Sequence, residues 1–144
     1  MASTLAVMTF DDLPDDWPTR PLTEPQLIDD VLDLLVDERA RRGRCLAVLV
    51  CDEQVRLVQP LLIEDLPARC DPDLVQRTVD IVLEAMSDLA RGSLLVALGR
   101  ADGLSITDDD RQWVAATHDA LASTGWSLRS ARVITLHGSR VIAA

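Results

Sequence analysis

The sequence predicts an α/β (α+β) domain, a single mixed β-sheet flanked by three helices in the order α-β-β-α-β-α-β-β. Three observations carry that prediction. Cys45 to Cys51 is an almost wholly apolar run of strand length, as expected where a sheet is covered on both faces. Two stretches with helical apolar spacing follow helix-start signals, Asp71-Pro72 and Thr107 with Asp110 three residues on. Between them lies the short apolar strand Leu94 to Leu98, closely tied to the preceding helix, which predicts a right-handed strand–helix–strand crossover.

Length and composition bound the rest. A chain of 144 residues fits one domain, and an apolar fraction of 48% supplies a normal core. Aromatics are only 3% (Phe10, Trp17, Trp113, Trp126), so that core is built from Leu, Val, Ile and Ala. All 14 basic residues are Arg, a bias that a GC-rich coding sequence produces. Of the formal charge of −10, residues 1–40 hold ten acids against two arginines, and the remainder fourteen against twelve. An acidic front on a near-neutral body opposes direct nucleic-acid binding, which needs clustered cations. It suits a protein partner with a basic surface, or simply a solvated face.

Three cysteines form no paired spacing, and Cys45 and Cys51 lie too far apart on one strand to bridge, so a reducing cytoplasm is expected. No signal peptide or membrane span is read, and no cofactor is expected.

In chain order, residues 1–23 read as an acidic, Pro-rich segment ahead of a domain over 24–144. Leu5 to Phe10 is an edge strand or a docking tail. The Pro-rich loop that follows carries Asp11, Asp12, Asp15, Asp16 and Trp17, with Trp17 either a partner anchor or a staple folded back on the body. The first helix is expected to open with a Thr23–Gln26 capping box and to run to Gly43, with Asp29, Asp30, Asp33 and Asp37 facing water. Asp52-Glu53-Gln54 turns the chain into a return strand over Val55 to Ile63, where Pro60 signals an edge or a bulge.

The second helix runs from Asp71 to Arg91-Gly92, its apolar stripe broadened by Ile81, Leu83 and Ala85 as if covered on more than one side. Gly99 to Ile106 forms a loop. The third helix starts at Thr107 and ends at Gly125. A strand over Trp126 to Leu136, a turn at His137-Gly138-Ser139 and a short strand over Arg140 to Ala143 complete the chain.

Few residues speak for chemistry. Asp102, Asp108, Asp109 and Asp110 cluster without the spacing of a calcium loop, and acids in a first helical turn are favoured by the dipole alone. The loop Gly99-Arg100-Ala101-Asp102-Gly103 lacks phosphate-binding spacing. His118 and His137 read as ordinary exposed or hydrogen-bonded histidines, and Cys70, ahead of a helix, has no partner Cys or nearby His.

The segments Leu46 to Asp52, Val55 to Ile63, Asp71 to Arg91, Ser93 to Val96, Thr107 to Asp110, Gly125 to Leu128 and Arg132 to Gly138 occur in an order that resembles the JAB/MPN metalloprotease-like fold. The likeness is to its bacterial RadC-type branch, with a cytidine deaminase-like architecture. It implies a zinc held by two histidines and an aspartate, assisted by a serine and an upstream glutamate. The corresponding positions here are Ala97 and Gly99 for the histidines, Asp110 for the aspartate and Thr107 near the serine, with Arg44 nearest to the glutamate.

One carboxylate cannot supply the three protein ligands of a catalytic zinc. The expectation is therefore no enzyme, no catalytic or metal residues, and a scaffold that binds a protein partner, with self-association as a further expectation. Partner contacts are expected from Asp11, Asp12, Asp15, Asp16, Trp17, Asp29, Asp33, Arg100 and Asp102. Two alternatives stand beside it: a metal-dependent hydrolase using Asp110 with His118 or Cys51, and an acidic inhibitor or nucleic-acid mimic that binds a basic protein.

Overall fold

The computed structural model describes residues 4–7, 20–101 and 103–142. They form a mixed α/β domain with one six-stranded sheet: β1 (Thr4–Val7), β2 (Cys45–Cys51), β3 (Leu57–Glu64), β4 (Gly92–Gly99), β5 (Trp126–Thr135) and β6 (Gly138–Val141), in the spatial order β1-β3-β2-β4-β5-β6. Only β4 and β5 pair in parallel; every other neighbour is antiparallel. Four helices cover the sheet: α1 (Pro25–Leu35), α2 (Glu38–Arg42), α3 (Pro72–Ala85) and α4 (Asp108–Leu121). No described helix is long and apolar enough to cross a membrane.

Strand alternation sorts the core into two clusters. Leu46, Val48 and Val50 of β2 point to the side covered by α3 and α4, where Val75, Val79, Trp113 and Leu121 meet them. Cys45, Ala47, Leu49 and Cys51 point to the other side, against Ile28, Val31, Leu32 and Leu35 of α1 and Ala40 of α2. The apolar run of β2 is thus buried along its whole length because both faces are covered.

The expected first helix is two helices, so the count of three becomes four. Val36 is buried, leaves the helical region and lends its carbonyl to Arg41 Nε at 3.0 Å. Asp37 then caps α2 by accepting from the Ala40 amide, so it is not merely a water-facing residue of a longer helix. The start also differs. Glu24 is the N-cap without a side-chain bond, because Leu22 is fully buried with its amide on the Val55 carbonyl, and the chain turns there before Pro25 enters the helix.

The other helix ends move for a related reason. α3 stops at Ala85, since Gly92 belongs to β4, where a Cβ would come within 2.4 Å of the Cys51 carbonyl and the Trp126 ring. α4 stops at Leu121, and the left-handed residue behind it is Ser123, at φ 69°. Gly125 instead lets the chain pass the Ala90 carbonyl, which a Cβ would meet at 2.3 Å. On α3, Ile81 is 52% exposed and Ala85 is exposed too, so no second cover lies over that face among the described residues.

The strand edges shift slightly. β3 begins at Leu57, because Val55 sits in the left-handed turn at φ 63°. Pro60 lies opposite Leu49, just outside the Leu61–Glu64 stretch that β1 covers, and the register slips between Val50 and Cys51. Of the two readings of residues 5–10, Thr4–Val7 is the edge strand. The last strand is Gly138–Val141 rather than 140–143.

Candidate functional site

The end of the sheet at Gly99 is where the resemblance places a metal, so its donor atoms decide what it can hold. Thr107 caps α4 as expected: its hydroxyl accepts from the Asp110 amide at 3.1 Å, and Asp110 Oδ2 accepts from the Thr107 amide at 2.8 Å. The second oxygen of Asp110, Oδ1, accepts from Arg100 Nη1 at 2.8 Å. Asp110 is only 2% exposed, so each oxygen already faces a donor inside the protein.

Arg100 does more than pair with Asp110. Its Nε donates to the Gly103 carbonyl at 2.8 Å and its Nη2 to the Ser105 carbonyl at 2.7 Å. The flat guanidinium thus spans three acceptors across the loop between β4 and α4, a fork geometry that lysine lacks. Farther along this loop, Leu104 and Ile106 pack on the α3/α4 core. Arg100, expected at a partner surface, is therefore largely occupied within its own loop.

The three consecutive aspartates of α4 have three different surroundings. Asp108 is exposed and pairs with Arg111 at 3.2 Å. Asp109 reaches sideways. Its Oδ1 accepts from the Cys70 amide at 2.7 Å, its Oδ2 accepts from Trp113 Nε1 at 3.2 Å, and Arg44 lies 3.8 Å away. Asp110 faces inward. In the sequence, the helix dipole explains most of this acidic pattern, and the capping box with Thr107 explains Asp110. The loop partners Cys70 and Arg100 were invisible because no local pattern announces them.

Ala97 and Gly99 lie on the opposite face, among the α1/α2 contacts. Ala97 is buried in that core, and a Cβ on Gly99 would come within 2.4 Å of Cys45 Sγ. A ring-bearing side chain at either position would need the α1/α2 layer to move. The unconventional ligands do not converge either. His118 is exposed on α4, while Cys51 is buried and pairs with Ser93, at the other end of β4 from Gly99. Among the described residues no group of three or more His, Cys, Asp or Glu is placed to hold a metal ion. The donor set does not fit a catalytic zinc.

The cysteines are all free, and burial pushes their thiols up, Cys45 and Cys51 to about 12 and Cys70 to about 11. For Cys70 the neighbouring carboxylates of Asp109 and Asp71 add to burial, the opposite of an activated nucleophile.

Of the remaining partner candidates, Asp29 and Asp33 lie on α1. Asp29 Oδ1 accepts from Arg132 Nη1 at 2.7 Å and from Ser139 Oγ at 2.9 Å, joining α1 to β5 and β6. Asp33 pairs with Arg41 at 2.8 Å and keeps most of its side chain in solvent. These residues wall a groove of about 230 Å³ between α1 and the β5–β6 hairpin. Asp11, Asp12, Asp15, Asp16, Trp17 and Asp102 lie outside the described residues. His137 is exposed in the β5–β6 turn. In the comparisons with protein-family models and with curated proteins, nothing matches this chain.

Proposed function

We propose that this chain is a non-catalytic protein-binding domain on a degenerate JAB/MPN-like scaffold of RadC type. On this reading α1 and α2 together take the place of the first helix of that fold, and the β-β-α-β-α-β-β order after them corresponds to the rest of it, with cytidine deaminase-like architecture. The observation that carries it is the use of Asp110: one oxygen serves the helix cap and the other the Arg100 guanidinium. The positions that would supply imidazoles, Ala97 and Gly99, instead pack beneath α1 and α2.

The partner is a protein with a basic surface, met by the acidic exposed side of α1, where Glu24, Asp30, Asp33 and Asp37 face solvent. Such a contact is steered by charge and weakens with salt. Nucleic acid is not the ligand, and the site of action is the cytoplasm. Self-association is part of the same reading, with exposed Ile81 on α3 as the apolar contact.

The test has two arms. Elemental analysis of the purified protein should show substoichiometric zinc, and added zinc should not raise its melting temperature. Affinity capture at low salt should return a partner that is lost in 0.5 M salt and lost again with Asp30→Lys plus Asp33→Lys. Stoichiometric zinc, or chelator-sensitive peptide cleavage, overturns the proposal.

A further inference from the structure

We infer that Arg100 is a built-in strap that sets the β4–α4 loop in its final shape without any bound cation. Among the described residues of the loop, 100–101 and 103–106, few backbone bonds are made. The Arg100 amide donates to the Ile134 carbonyl at 3.0 Å, and the Leu136 amide reaches the Ala101 carbonyl at 3.5 Å. Between those anchors and the Thr107 cap, the side-chain ties among the described residues are the two from Arg100, to the carbonyls of Gly103 and Ser105.

The same side chain neutralises Asp110, which at 2% exposure would otherwise keep a carboxylate away from water with a lone amide for company. A buried carboxylate left without a cation is driven to rehydrate, which loosens the cap it forms. One guanidinium therefore holds the loop and the start of α4 together. Because its charge is covalently part of the chain, calcium, magnesium or zinc has no role in the folding of this end of the sheet. The inference stands apart from the partner reading: a strap can be present whether or not α1 binds a protein.

Hydrogen exchange followed by NMR on the intact chain tests it. Three variants serve: Arg100→Met removes every donor, Arg100→Lys keeps the charge but not the fork, and Arg111→Met makes the same charge change on the exposed pair one turn along α4. Loss of charge-assisted bonds to a locally opening segment should speed exchange of the Thr107 and Asp110 amides about tenfold or more in Arg100→Met. The Leu49 amide in the sheet centre should be unaffected. Arg100→Lys should fall between, and Arg111→Met should match the parent.

In the parent, millimolar zinc, calcium or a chelator should leave all these rates unchanged. If Arg100→Met fails to fold, Arg100→Lys decides. Unchanged exchange in the Arg100 variants, an equal effect from Arg111→Met, or marked protection of Thr107 by a divalent ion in the parent would each overturn the inference.

Discussion

The two faces of the sheet are closed by different physics. Over the α3/α4 face lie two helices of 14 residues each, packed through Val75, Val79, Val82, Trp113 and Leu121 onto the even-numbered residues of β2. Over the other face lie α1, of 11 residues, and α2, of 5, which bury fewer apolar residues. That thinner layer is pinned by charge. Arg132 is 5% exposed, bonds Asp29 across 103 residues of sequence and leaves its Nε without a hydrogen-bond partner among the described residues. Arg41 ties Val36, Thr135 and Asp33 together. The contrast shows how a short helical layer can be positioned by guanidinium forks when it lacks the apolar surface to position itself.

The largest expected break in that contrast is Asp29→Ala. It leaves the Arg132 guanidinium buried with only the sheet around it, at a cost of about 3–5 kcal/mol in urea denaturation. Replacing Asp29 and Arg132 together by Leu and Met should recover most of the loss, because the desolvation cost falls on the buried Arg132 guanidinium and is removed with it. Failure of the double replacement to recover would mean that the pin specifies where α1 sits. On the other face Leu94→Ala, in the uncharged α3/α4 core, should cost about 2–5 kcal/mol with no salt dependence.

A pH experiment sharpens the same comparison, since Cys45 and Cys51 both belong to the α1/α2 core. Their thiols are held protonated to about 12, against an ordinary 9.0. Between those values the unfolded chain releases thiol protons that the folded chain keeps, so stability is full below pH 9 and falls as pH rises toward 12. The chain has no Lys or Tyr to titrate in that window. The slope should approach about 1.4 kcal/mol per pH unit for each buried thiol and should flatten in Cys45→Ala and Cys51→Ala. An unchanged slope in both variants would remove Cys45 and Cys51 as its source and leave Cys70, raised to about 11, as the remaining thiol in that window.

The smallest effects are expected at the surface. Asp108→Ala removes an exposed pair with Arg111 and should alter stability by less than about 0.5 kcal/mol, as should Leu34→Ala on the outer side of α1. A large loss at Leu34 would reveal that α1 is already covered in solution.

What the sequence determined by itself are the features with local causes. The β2 run needs only its own apolar residues, the α3 start needs Asp71 and Pro72, and the α4 start needs Thr107 and Asp110, each within a few positions of its partner. The cap half of the candidate site was legible for that reason. Only the tertiary structure decided the rest. Arg100 found its acceptors through the fold of one loop, Asp109 met Cys70 39 residues away, and Val36 broke the first helix to let Arg41 reach Thr135, 94 residues away. Glycines 92 and 125, which look like helix stops, answer to a tryptophan ring and a carbonyl from other segments. Periodicity and capping are short-range forces written in neighbouring residues. Where a buried charge finds its counter-ion depends on which strands lie side by side, and that is known only once the chain has packed.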